Sequence, residues 1–206
     1  MRRRNVFAPC TRSTPPAIDR SAGFWERVLG VDRARRWLCG QAEGDVLEIG
    51  IGTGRGLPYY STSVRLTGVD LTPGMLDIAR ARALRLGLSV ELRVGDAQTL
   101  EFPPERFDTV VIALALCSIP NDRLSISEVS RVTRPGGRLL IMEHVRRPNP
   151  VVRAGQRTVE PMFVRFQADH LTREPLEHIE EHGFAVERVD RCAWGIMERV
   201  VARRKG

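Results

Sequence analysis

The sequence predicts an α/β fold: a mostly parallel sheet with helices on both faces, ending in an antiparallel carboxyl-terminal hairpin. Three observations carry that expectation. From residue 24 onward, short apolar runs alternate with stretches of helical period, the pattern of strand–helix–strand units. The first run, "DVLEI" at 45–49, feeds directly into a glycine-rich turn, "GIGTGRG" at 50–56. The tail, "FAVERVDR" followed by "IMERVVARR", reads as two alternating strands able to pair as a hairpin. In open sheets of this kind ligands bind at the carboxyl ends of the strands, beside the point where strand order reverses.

Taken in order, residues 1–20 are rich in Arg, Pro, Ser and Thr and read as a flexible basic arm, with residues 21–206 forming one domain. "AGFWERVLGVDRARRWLCG" has helical spacing at Phe24, Val28 and Val31, with Trp37 and Leu38 beyond. The first strand (45–49) is followed by a helix near 54–60 and a second strand at 64–70, which ends on Asp70. Thr72 is the expected N-cap of the next helix and Pro73 its first residue. Leu76, Ala79, Ala83 and Leu86 mark its apolar face, and Gly87 ends it. A third strand (89–94) stops at Gly95-Asp96 and a fourth spans 107–116. Ile126, Val129 and Val132 mark a helix closed by the "RPGG" turn at 134–137. A fifth strand follows at 138–145. Residues 146–170, with the amino-terminal helix, are the expected lid and acceptor region.

At 206 residues the chain is one domain's worth, with 42% hydrophobic and 28% charged residues, ordinary for a globular protein. No apolar run approaches the roughly 18–20 residues of a membrane span. The basic start lacks an apolar core after it, so it is not expected to be a secretory signal, and a cytoplasmic location is the default. The four cysteines show no C-x-x-C spacing, which argues against zinc and against a disulfide framework. The +7 charge invites a nucleic-acid reading. Lys205 is the single lysine among 32 basic residues, however, and the arginines are interleaved with Asp and Glu along the whole chain rather than gathered on one face. Nucleic acid is therefore not the expected partner; the basic arm leaves room for transient contact with an anionic membrane surface.

The glycine turn fits neither common phosphate pattern. No Lys follows it as a P-loop requires, and counting on from Gly50 and Gly52 the sixth position is Arg55 rather than glycine. What remains is Glu48-x-Gly50-x-Gly52-x-Gly54, with Asp70 and Asp96 at the next two strand ends. Carboxylates around such a turn repel a polyphosphate. They suit a ligand with a ribose diol, an exocyclic amine and positive charge, and S-adenosylmethionine (SAM) has all three. On this reading the glycines admit close approach of the backbone, and Asp70 accepts from both ribose hydroxyls. Asp96 accepts from the adenine amine and the N–H of Ala97 donates to the ring. Leu71 and Met75 wall the adenine, and the carbonyl of Ala113 accepts from the methionine ammonium.

The segments "VLEIGIGTG", "GVDLTPGMLDIAR", "GDAQTLEF", "FDTVVIALALCSIP" and "RPGGRLLIMEHV" resemble the successive motifs of class I SAM-dependent methyltransferases. Their spacing is similar to the subgroup that methylates quinone precursors and phospholipids. The resemblance covers roughly residues 24–203 and implies a Rossmann-like sheet of seven strands with an antiparallel last strand. "LCSIPN", "MEHV" and "HLTRE" carry a narrower likeness to the methyltransferase-like alkyl thiol methyltransferases, which are anchored by an apolar amino-terminal segment. The expected activity is therefore methyl transfer from SAM to a small, partly apolar acceptor. A thiol leads and a lipid amine or quinol follows; a non-catalytic SAM-binding or nucleic-acid-binding protein is the reading from another class.

Methyl transfer is an in-line displacement, so alignment and exclusion of water supply much of the catalysis. His144 at the end of the fifth strand is the first candidate base, with Cys117 after the fourth strand on the acceptor side. Asp169, His170, Phe163 and Phe166 are candidates to meet the acceptor. "HIEEH" at 178–182 has the spacing of some zinc peptidases, but it ends against Gly183 with no third ligand in sequence, so no metal is expected. Oligomeric state is not legible in the sequence.

Overall fold

The computed structural model describes residues 30–144, 176–192 and 197–206. Its elements are α1 (Val31–Cys39), β1 (Asp45–Ile49), β2 (Arg65–Asp70), α2 (Pro73–Leu86), β3 (Val90–Val94), β4 (Phe107–Ala113), α3 (Asp122–Val132), β5 (Thr133–His144), α4 (Leu176–Ile179), β6 (Phe184–Cys192) and β7 (Met197–Arg204). Single 3-10 turns lie at Leu57–Tyr59 and Leu116–Ser118. The seven strands form one sheet in the order β3-β2-β1-β4-β5-β7-β6. The first five in that order are parallel, and β7 runs antiparallel between β5 and β6. The expected hairpin is therefore present, with its second strand on the inside.

Alternation along each central strand splits the core in two. Leu47, Ile49, Val110, Ile112, Leu139 and Ile141 pack on one face with Ile126, Val129 and Val132 of α3. Val46, Val111, Leu140 and Met142 pack on the other with Val31, Ala34 and Leu38 of α1 and Leu76 and Ala83 of α2. All five residues of β1 are buried, as a strand covered on both faces requires. β3 is an edge strand and mostly exposed, with Glu91 and Arg93 on it to discourage further pairing.

Local signals explain the boundaries, and some of them correct the expectations. Pro73 opens α2 and Gly87, at φ 66°, closes it while Leu88 N–H donates to the Ala83 carbonyl (3.0 Å). Thr72 holds the cap position, but its backbone N–H is the working group, donating to Asp70 Oδ1 at 2.8 Å. Leu86 is 43% exposed rather than part of the buried face. The helix expected near 54–60 is only the 3-10 turn at Leu57–Tyr59: three left-handed glycines and Pro58 leave no room for an i to i+4 ladder. The fourth strand stops at Ala113, where Leu114 takes φ 59°, rather than running to Leu116. The "RPGG" segment lies inside the span of β5 as a bulge, since the pairing jumps from Phe107–Thr133 to Thr109–Arg138. The arm at 1–20, residues 21–29 and the lid at 146–170 lie outside the described residues. Among the described residues no helix is long and apolar enough to cross a membrane.

Candidate cofactor and acceptor site

The parallel registers bring the carboxyl ends of five strands to one edge. Ile49 is level with Val69 and Ile112, Asp70 with Val94, and Ala113 with Met142. Strand order reverses between β1 and β4, so the glycine turn after β1 sits at the switch point. Gly50, Gly52 and Gly54 all take left-handed backbone, at φ 66°, 55° and 74°. At Gly50 the demand is also steric, since an added Cβ would stand 2.4 Å from the Ala115 Cβ. Gly52 has open space instead, its nearest neighbour being the Gly50 carbonyl at 3.9 Å, so a ligand can approach its backbone.

Asp70 is the clasp of this turn. Its Oδ2 accepts from Gly52 N–H (2.9 Å) and its Oδ1 from Thr72 N–H (2.8 Å). The Thr72 hydroxyl also reaches this carboxylate, and the remaining acceptor capacity faces a ligand hydroxyl. Burial pushes its pKa up, and the two N–H groups counter that by favouring the charged form. Gly95 N–H donates to the Asp70 carbonyl (3.1 Å), which ties the end of β3 to the end of β2. Leu71, beside the clasp, is 53% exposed, and Met75 is half-buried. An exposed large apolar side chain next to a polar clasp is available as a wall for a flat ring.

Asp96 already has a partner that the sequence reading missed. The Gln98 amide donates to both its oxygens (3.0 and 3.1 Å), while Gln98 Oε1 accepts from Asn121 N–H (3.2 Å). Gln98 thus links the β3 end to the start of α3, and Ala97 is buried beside it. A residue two positions beyond a strand-end carboxylate was the available signal, since an Asx turn is built at that spacing.

Glu48 lies beneath the turn. It is 3% exposed, its Oε2 accepts from the Tyr60 hydroxyl (3.1 Å), and Cys39 and Arg35 are close enough to influence its charge. Burial, opposed by Tyr60 and Arg35, pushes its pKa up to about 7, and the Cys39 thiol beside it is raised as well.

On the acceptor side, Ala113 ends β4 and Leu114 N–H donates to the Met142 carbonyl at 2.7 Å. Cys117 is buried in the 3-10 turn that follows. His144 is the last residue of β5, paired across the ladder with Met197. Asp169, His170, Phe163 and Phe166 lie outside the described residues. Glu143, which the sequence reading passed over, is buried one residue before His144. A shallow polar cleft of about 250 Å³ opens at the opposite pole, among Glu43, Asp108, Thr109, Arg134, Arg138 and Arg203, and none of the predicted site residues lines it. In "HIEEH", His182 Nδ1 lies 2.7 Å from the His178 carbonyl, and no group of three metal-ligating side chains occurs among the described residues.

Residues 47–141 match the family described as "Methyltransferase domain". Over 126 residues the chain is 41% identical to phosphatidylethanolamine N-methyltransferase of Cereibacter sphaeroides, covering 60% of each protein. Over 122 residues it is 37% identical to the ubiquinone/menaquinone biosynthesis C-methyltransferase of Pseudomonas savastanoi pv. phaseolicola, covering 56% of this chain and 48% of that one. The chain thus spans about half to three fifths of the length of these curated relatives. In fold it is similar to an S-adenosylmethionine dependent methyltransferase of Mesorhizobium loti, with a TM-score of 0.64 and 21% identity over 84% of this chain and 96% of that one. Residues 47–141, which carry the glycine turn and its Asp70 clasp, thus match a methyltransferase-domain family, and the seven-stranded sheet is similar in fold to a SAM-dependent methyltransferase.

Proposed function

We propose that this chain transfers the methyl group of SAM to the amine of a small, partly apolar, lipid-like acceptor. The observation that carries the cofactor half is the three-glycine turn clasped by Asp70, with open space above Gly52. Asp70 would hold the ribose diol and Asp96, with Gln98, the adenine amine. Leu71, Met75 and Ala97 would wall and meet the ring, and the Ala113 carbonyl would take the ammonium. Glu48 would support the turn from beneath.

Bound SAM supplies a methyl carbon on a positively charged sulfur. The acceptor's lone pair forms the new bond to that carbon while the carbon–sulfur bond breaks, its electron pair remaining on sulfur. An amine acceptor sheds one proton in the process and must be unprotonated to attack, which a simple amine at neutral pH mostly is not. A base at the end of β5 therefore matters more for an amine than for a thiol, and His144 is the candidate. Cys117 would line the acceptor pocket, with Phe163, Phe166, Asp169 and His170 contributing from the lid.

The 41% identity to an enzyme named for N-methylation of phosphatidylethanolamine moves the amine ahead of the thiol. An alkyl thiol is the second reading, favoured by "LCSIPN", "MEHV" and "HLTRE". The test is transfer from isotopically labelled SAM to phosphatidylethanolamine in mixed micelles, beside an alkyl thiol and a quinol, in protein shown by calorimetry to bind SAM. Saturable labelling of the amine lipid is expected. Labelling of the thiol alone would reverse the order of the two readings.

A further inference from the structure

Glu143 is 2% exposed at the carboxyl end of β5, one residue before the candidate base. A carboxylate leaves water only where donors hold it. Here Oε1 accepts from two consecutive backbone N–H groups, those of Ala115 (2.7 Å) and Leu116 (2.8 Å). Hydrogen bonds to an ionised acceptor are roughly twice as strong as neutral ones. The segment they hold is unusual. Leu114 has φ 59°, a left-handed conformation costly for a residue with a Cβ, and it persists only where its surroundings over-determine it. Its own N–H is fixed to Met142, and the Ala115 Cβ occupies the space beside Gly50. Cys117 follows within the same turn. Glu198, directly across the ladder from Glu143, is engaged with Arg191 at 2.9 Å.

We infer that Glu143 is a positioning residue for methyl transfer. By holding the Ala115–Leu116 backbone from β5, it sets the post-β4 turn against the glycine turn and so aligns the acceptor side with the cofactor side. The inference rests on the methyltransferase reading above. Its expected size follows from the geometry of displacement, where a misplacement of about 1 Å costs on the order of 100-fold in rate.

The test combines amide hydrogen exchange, SAM affinity by calorimetry, and kcat with whichever acceptor the wild-type protein methylates. In the wild-type protein the Ala115 and Leu116 amides should exchange slowly. Glu143→Ala should speed exchange at those two amides and lower kcat by about 30- to 100-fold, in line with that cost. Its SAM affinity should stay within about threefold, because the Asp70 clasp is untouched. Glu143→Gln keeps an oxygen able to accept both N–H groups, so it should restore slow exchange and recover most of kcat. Fast exchange at both amides in the wild-type protein overturns the inference, as does undiminished kcat in Glu143→Ala. Equal loss in the Gln and Ala variants also overturns it, since charge rather than position would then be the requirement. If Glu143→Ala does not fold, wild-type exchange and the Gln variant decide between the same outcomes. Absence of methyl transfer by wild-type protein to amine, thiol and quinol alike would count against the proposed function, and the exchange measurement would still decide whether Glu143 holds the turn.

Discussion

Two carboxylates on the neighbouring strands β1 and β2, Glu48 and Asp70, show how burial sorts chemical roles residue by residue. Asp70 is kept charged by two backbone N–H groups and faces the open side of the turn. Asp70→Ala should weaken SAM binding by about 1.5–3 kcal/mol, the usual worth of hydrogen bonds to a charged group, and calorimetry measures it directly. Unchanged affinity would remove Asp70 from the site. Glu48 sits on the closed side, where burial lifts its pKa to about 7 against an unfolded value near 4.5. A raised carboxyl pKa means that the folded state holds the proton more tightly than the unfolded one. The associated stability is complete below about pH 4.5 and is lost as pH rises through about 7. Glu48→Gln should therefore be more stable than wild type at pH 8–9, by an amount on the order of 3 kcal/mol, and no more stable at pH 4. Urea unfolding at the two pH values checks this. A gain independent of pH would mean that Glu48 is not ionising inside the fold.

At the scale of elements, the glycine turn and the turn after β4 are built against each other. Gly50 fails to accept a side chain for two separable reasons: its φ of 66° and the Ala115 Cβ that faces it. Gly50→Ala should cost about 3 kcal/mol, combining roughly 1–2 for left-handed backbone with the strain of overpacking. Adding Ala115→Gly removes the collision and not the backbone cost, so the double variant should recover part of the loss in denaturant unfolding and in SAM affinity. A double variant no better than Gly50→Ala would show that the contact is not what requires glycine there. Little of this pairing was legible in the sequence. The glycines were, because a turn rich in them after an apolar run has few structural meanings. The partner was not, because Ala115 lies 65 residues away with no local pattern to mark it. The same holds for Glu143, whose bonds to Ala115 and Leu116 span 28 and 27 residues. The missing helix near 54–60 has a different cause. The run "RGLPYY" holds Gly56 and Pro58, both poor helix formers, and the positive φ angles of the glycines before it bring the chain in with the wrong geometry to continue a helix.

For the whole molecule, the sequence displays openly which strands are covered on both faces, since such strands must be apolar throughout; β1 and the interior of β4 are the clearest cases. What composition leaves unexplained is the arginine excess, and the pole opposite the cofactor site accounts for part of it. Asp45, at the start of β1 and 5% exposed, is reached by Arg65 from β2 (2.6 Å), by Arg106 from the approach to β4 (2.9 Å) and by Arg134 from β5 (3.3 Å). Its own N–H donates to Asp108 (2.8 Å), which Arg134 also binds. One buried carboxylate thus gathers the starts of four neighbouring strands. Hydrogen bonds from Arg65 and Arg106 hold its pKa well below the usual carboxylate range. With the folded pKa depressed, the stability this confers is present above the unfolded pKa of about 3.8 and fades as pH falls through and below that value. Asp45→Asn should lower stability by about 2–3 kcal/mol at pH 7, since it leaves three guanidinium groups without their shared acceptor charge. The difference from wild type should narrow steadily below about pH 4, where the wild-type carboxylate begins to be neutralised during unfolding. SAM affinity of the folded variant should be unchanged, because the hub and the glycine turn lie at opposite ends of β1. A loss of SAM binding in Asp45→Asn at full folding would mean that strain at one pole of the sheet is transmitted along β1 to the other, and the two ends could no longer be treated as independent.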